Sequence, residues 1–207
     1  MYLCSFVRAI NELGAIMTTE TDNYVGIDYS KIDEIKTIQI KSGLCWAAGI
    51  QMLLKYENLT LMQEQIVGQV LDPSWIDDYD RRIRGEEIED LLRKIKIVVN
   101  SKTYKLDVTE YSDCISEKDI LKELERKKPI LLSYDKHNNK NNSYGHIVVI
   151  TGANYFVSNY IKTIRQLIVL DPEYTIGTVK QTYENDNLKN ILTSINVLWT
   201  IDKAICI

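Results

Sequence analysis

Gln39-Ile40-Lys41-Ser42-Gly43-Leu44-Cys45-Trp46-Ala47-Ala48-Gly49-Ile50-Gln51-Met52-Leu53-Leu54-Lys55-Tyr56 runs from a short polar loop straight into a helix, with one cysteine at the junction. Apolar residues recur at helical spacing (Leu44, Ala47, Ala48, Met52, Leu53, Tyr56), and Ser42-Gly43 favours a turn and a helix start. The spacing therefore predicts Cys45 in the first helical turn. A thiol there meets the positive end of the helix dipole and unpaired backbone N–H groups. Both stabilise the nucleophilic thiolate, and the same N–H groups can hold an oxyanion. A lone cysteine at a helix start is ordinarily packing, because free cysteine is among the most often buried residues. The functional reading depends on what else the chain carries.

Working outward towards the start, residues 36 back to 17 are polar. Thr18-Thr19-Glu20-Thr21-Asp22-Asn23 looks like a linker, and residues 24–29 suggest a short edge strand. Residues 1–17 are moderately apolar but interrupted by Arg8, Asn11 and Glu12, with no basic region before them. They read as a short helix or loose arm rather than a secretory signal, which predicts a cytoplasmic protein, export as an effector being the alternative.

On the far side of the cysteine helix, Thr60-Leu61-Met62-Gln63 has the capping-box pattern and predicts a second helix to Leu71, stopped by Asp72-Pro73-Ser74. Residues 75–84 read as a surface loop. Ile88, Leu91, Leu92 and Ile95 predict a third helix over 86–96, with acids early and bases late. Then the period changes. Short strands are predicted at 97–99 and 103–108, a helix capped by Ser116 through Arg126, and strands at 130–134, 146–151, 167–170 and 197–201, with a charged loop over 135–143. A helical portion carrying the thiol precedes a strand-rich portion, which predicts an α+β fold of two subregions with a cleft between them.

Composition excludes several classes. A chain of 207 residues, 45% hydrophobic and 26% charged, suits one soluble domain with a proper core. A net charge of -4 gives no footprint for nucleic acid, and no apolar run approaches the ~20 residues that span a bilayer. Cys4, Cys45, Cys114 and Cys206 are scattered without a CxxC pair, and there are two histidines. Neither a zinc site, a disulfide framework nor a cofactor is expected, and a reducing compartment fits.

A cysteine nucleophile in acyl transfer needs a base, and the choice lies between His137 and His146. His137 stands in a polar stretch and reads as solvated surface. His146 follows Gly145 and opens the apolar run Ile147 to Ile150, which suits a fixed base beside open space. Asp171, at the end of the strand Leu167 to Leu170 and before Pro172, can orient the imidazole. Gln39, six residues before Cys45, can donate to an oxyanion.

The run Gln39 to Ala48, centred on Cys45-Trp46, resembles the active-site segment of papain-like cysteine peptidases. Residues 144–153 resemble that family's histidine strand, and Leu167-Ile168-Val169-Leu170-Asp171-Pro172 the strand that ends in the orienting residue. The likeness is to the compact bacterial branch of double-glycine leader peptidases and effector proteases, and covers about residues 36–202. Against the signature C-G-[SA]-C-[WY], Ser42 replaces the first cysteine and Leu44 the small residue. The histidine follows the nucleophile by 101 positions (146 − 45), fewer than the ~130–150 of papain itself.

The resemblance implies a papain-like fold, a helical part carrying the nucleophile packed on an antiparallel sheet. It implies an arm over 1–35, a peptidase domain over 36–207 and a peptide or protein substrate. It also implies Cys45 as nucleophile, His146 as base and acid, Asp171 as orienter and Gln39 as oxyanion donor, with Trp46 as packing behind the nucleophile. The alternatives are a transglutaminase-like or arylamine acetyltransferase-like acyltransferase, an inactive peptide-binding domain of the same fold, and a structural domain whose cysteine and histidine merely pack. Oligomeric state is not readable from the sequence.

Overall fold

Ile147-Val148-Val149-Ile150 is apolar without alternation, and a strand of that kind is buried on both faces. The computed structural model, which describes residues 22–70, 85–99, 101–112, 115–137, 143–173 and 180–207, bears this out. The run lies in the 16-residue strand β5 (Ser143–Ser158), and all four residues are at most 5% exposed. Helices cover the sheet on both sides.

The elements run in the order β1 (Asn23–Gly26), α1 (Tyr29–Ile35), α2 (Cys45–Tyr56), α3 (Gln63–Val70), α4 (Gly85–Lys94), β2 (Ile97–Val99), β3 (Lys102–Tyr111) and α5 (Glu117–Glu125). There follow β4 (Ile130–His137), β5, β6 (Ile161–Leu170), β7 (Lys180–Glu184), α6 (Asn185–Thr193) and β8 (Ile195–Cys206). The eight strands form one antiparallel sheet in the order β2-β3-β8-β4-β5-β6-β7, with β1 added to β5. One edge of β5 carries β4 over residues 143–150 and then β1 over 152–155, while β6 occupies the other edge. Strand β8 is inserted between β3 and β4.

Side-chain alternation divides the core. Leu131, Ile147, Val149, Ile168, Leu170 and Trp199 face the layer of α1 to α4. Leu132, Val148, Ile150, Leu167, Val169 and Leu198 face α5 and α6. Both faces are therefore layered, and the expected α+β fold of helices packed on an antiparallel sheet is borne out. Among the described residues no helix is long and apolar enough to cross a membrane.

Several expectations change in detail. Of the arm expected over 1–35, residues 23–35 belong to the sheet and the core: β1 pairs with β5, and α1 buries Ile32 and Ile35. Residues 1–21 and the expected loop 75–84 lie outside the described residues. Helix α3 starts at Gln63 rather than Thr60 because the Gln63 side chain is engaged elsewhere. Gln65 accepts the Met62 N–H at 2.8 Å and caps the helix in its place. The cap on α5 is as expected, with the Ser116 N–H donating to Asp119 Oδ2 at 2.9 Å. His137 ends β4 instead of lying in a loop, and β7 and α6 had no counterpart in the sequence reading.

Candidate active site

Cys45 is the first residue of α2, as its spacing predicted. Gly43 adopts φ +80°, a conformation that needs glycine, and turns the chain into the helix. The N-cap position falls on Leu44, which has no side-chain oxygen to offer, so no cap side chain occupies the N–H groups of the first turn. From Trp46 to Leu54 the helix is buried throughout, whereas Cys45 stays half-buried at its tip. Gly49, one turn further on, lies so close to the sheet that a Cβ there would meet Leu131 Cδ1 at 2.5 Å and Ile147 Cγ2 at 3.1 Å. The missing side chain brings the cysteine end of α2 down onto β4 and β5.

His146 lies four residues into β5, opposite Tyr134 of β4, with its side chain 5% exposed. The two rings meet edge to face, 5.8 Å between centroids. Asp171 follows the last residue of β6 and is 1% exposed. Its Oδ1 accepts the His146 Nε2 hydrogen at 2.8 Å and the Glu173 N–H at 2.9 Å, and its Oδ2 accepts the Tyr183 hydroxyl at 3.3 Å. The Cys45 thiol is within hydrogen-bonding reach of the same imidazole. Burial pushes the imidazole towards its neutral form. The Asp171 hydrogen bond, that with Cys45, and electrostatic attraction to both override it, so the pKa of His146 is pushed up to about 9.

Gln39 is buried, as Pro172 and Gln63 dictate. Its N–H donates to the Pro172 carbonyl at 3.0 Å, which ties the loop before α2 to the residue after Asp171. On either side, Gln63 Oε1 accepts the Ile40 N–H at 3.1 Å and Gln63 Nε2 donates to the Ile38 carbonyl at 2.8 Å. Gln63 Nε2 also reaches Gln51 Oε1 of α2 at 3.2 Å, and Gln51 holds the Leu61 carbonyl at 2.6 Å. The Gln39 side chain makes no hydrogen bond to Cys45, His146 or Asp171, and its Oε1 is buried with no partner among the described residues.

The structure thus brings Cys45, His146 and Asp171 together and holds Gln39 on their border by its backbone. Sequence reasoning missed Gly49, Gln51, Gln63, Tyr134 and Tyr183. Gly49 alone had a signal, a glycine inside an apolar helix. His146, Asp171 and Glu173 offer ligand atoms within 4.8 Å of one another, a spacing a metal ion can span. The 2.8 Å between Nε2 and Oδ1 is the length of a hydrogen bond and accommodates a proton.

Residues 30–178 match the family described as papain-like cysteine protease AvrRpt2. The chain belongs to that family. It is a cysteine peptidase, and as such acts on protein. Among solved structures, a chain described as a C39-like peptidase from Bacillus anthracis shares the fold. It matches at TM-score 0.56 and 11% identity, covering 89% of this chain and 100% of that one. A search of curated proteins finds no match.

Proposed function

We propose that the peptidase works through Cys45, His146 and Asp171, with Gln39 beside the oxyanion site. The observation that carries this is the imidazole of His146, bonded through Nε2 to a buried carboxylate and in reach of a thiol at a helix N-terminus. Asp171 holds the ring, and His146 takes the thiol proton. The thiolate attacks a peptide carbonyl carbon, and the oxyanion is held by N–H groups of the first turn of α2 and by the Gln39 side-chain amide. Collapse breaks the C–N bond, and the amine leaves with the proton from His146. Water, deprotonated by the same imidazole, then displaces the thiolate and releases the acid.

The raised pKa of His146 supports this assignment, since the imidazole stays charged, as an ion pair with the thiolate requires, through neutral pH. The test is the rate of iodoacetamide labelling at Cys45, mapped by mass spectrometry in the wild type and in His146→Ala. Labelling that is fast at neutral pH and collapses in the variant is the expected result. Cys45 reacting no faster than Cys206, with or without His146, would sink the triad and favour an inactive peptide-binding domain. Capture of the acyl group by added amines in preference to water would instead favour a transferase.

A further inference from the structure

Adjacent strands of the sheet each contribute one group to a chain of hydrogen bonds: Tyr134 from β4, His146 from β5, Asp171 from the end of β6 and Tyr183 from β7. Asp171 has two oxygens. Oδ1 faces the imidazole, and Oδ2 accepts the hydroxyl of Tyr183. Tyr183 is registered opposite Leu167, four residues before Asp171, and the length of a tyrosine is what carries its hydroxyl to the strand end. The hydroxyl of Tyr183 in turn hydrogen-bonds Tyr134. A phenol has one proton to give, and a carboxylate can only accept. Tyr183 donates to Asp171, and the Tyr134 hydroxyl lies beside that of Tyr183. Burial first, then Tyr134 and Asp171, push the Tyr183 hydroxyl far above its ordinary range, so it remains a neutral donor throughout any working pH.

The direction of this chain matters for the imidazole. His146 and the Glu173 N–H hold Oδ1, and the Tyr183 bond at Oδ2 adds to the restraint on rotation about the Asp171 Cβ–Cγ bond. We propose that Tyr183, backed by Tyr134, is a positioning residue that fixes the Asp171 carboxylate square to His146. The proposal rests on the triad assignment above, and nothing in the family match assigns a role to either tyrosine. Among the described residues, the ionisable groups near His146 include Cys45 from α2, Tyr134 from β4, and Asp171 and Glu173 from the turn after β6, with Tyr183 from β7 bonded to Asp171.

The experiment is NMR titration of histidine-labelled protein. The chain has two histidines, and His146→Ala assigns the signal. In the wild type the His146 ring should titrate at about 9. In Tyr183→Phe, which keeps the ring and removes one hydrogen bond to a charged group, the midpoint should fall by about half to one pH unit. Labelling of Cys45 at neutral pH should slow about threefold to tenfold with it. Tyr134→Phe, one step further out, should shift the midpoint the same way by less, and it carries the test if Tyr183→Phe does not fold. A midpoint in the folded Tyr183→Phe within about 0.2 pH unit of wild type overturns the proposal and leaves the triad standing. So does an unmoved midpoint in Tyr134→Phe where Tyr183→Phe does not fold. A wild-type midpoint near the ordinary 6.5, with Cys45 labelling indifferent to His146→Ala, overturns the triad itself.

Discussion

At the scale of single residues, the buried His146–Asp171 pair makes stability depend on pH. The pKa of His146 is raised on folding, so the stability its proton adds is fully present below the ordinary value of 6.5 and is lost as pH rises to about 9. Urea unfolding of wild type and His146→Ala should accordingly show a stability difference that shrinks across that window. A difference that grows with pH would mean the ion pair with Asp171 is not the source. Gln39 makes a second prediction. Its side-chain oxygen is buried with no partner among the described residues, and Gln39→Ala should cost roughly 10²–10³ in kcat if the amide N–H serves the oxyanion. A loss below tenfold on a protein substrate would assign it to packing alone. Cys45, His146 and Asp171 were legible because each sits where an apolar run begins or ends, and such positions show in the sequence. Tyr134 and Tyr183 were not, since a tyrosine in a strand is ordinary wherever it occurs and its partner is set only by register.

At the scale of elements, the seating of α2 on the sheet decides whether thiol and imidazole meet. Gly49→Ala gains up to about 1 kcal/mol in helix propensity but forces a methyl group into contact with fully buried Leu131. Overpacking of that kind costs about 1–3 kcal/mol, so the denaturant midpoint should fall, and His146-dependent labelling of Cys45 with it. A variant as stable as wild type would show that α2 has slack against β4. The same scale separates what periodicity could reveal from what it could not. α2, α4, α5 and the inner strands carry dense apolar patterns. Helix α1 offers only Ile32 and Ile35 among polar neighbours, and β7 with α6 forms a polar margin of the sheet where few side chains are buried. The capping pattern at Thr60 misled because Gln63 makes longer-range bonds to Ile38 and Ile40, and local sequence holds no trace of them.

At the scale of the whole molecule, the folding unit should begin before Tyr24 rather than at Lys36. A chain starting at Lys36 loses β1, which covers residues 152–155 of β5, and the buried side chains of Ile27, Ile32 and Ile35. It should be molten or aggregate on thermal scanning by circular dichroism, while a chain starting at Asp22 should melt cooperatively like the full sequence. Cooperative melting of both would place the boundary at 36.

The central position of β8 has a consequence during synthesis. Ribosomes deliver residues 195–206 after the other described strands, yet those residues lie inside the sheet, between β3 and β4. Until they emerge from the exit tunnel, β3 and β4 have no partner on their facing edges, and the layer bearing the thiol has no finished floor to rest on. The thiol-bearing helix is made early, and the sheet beneath it is completed late.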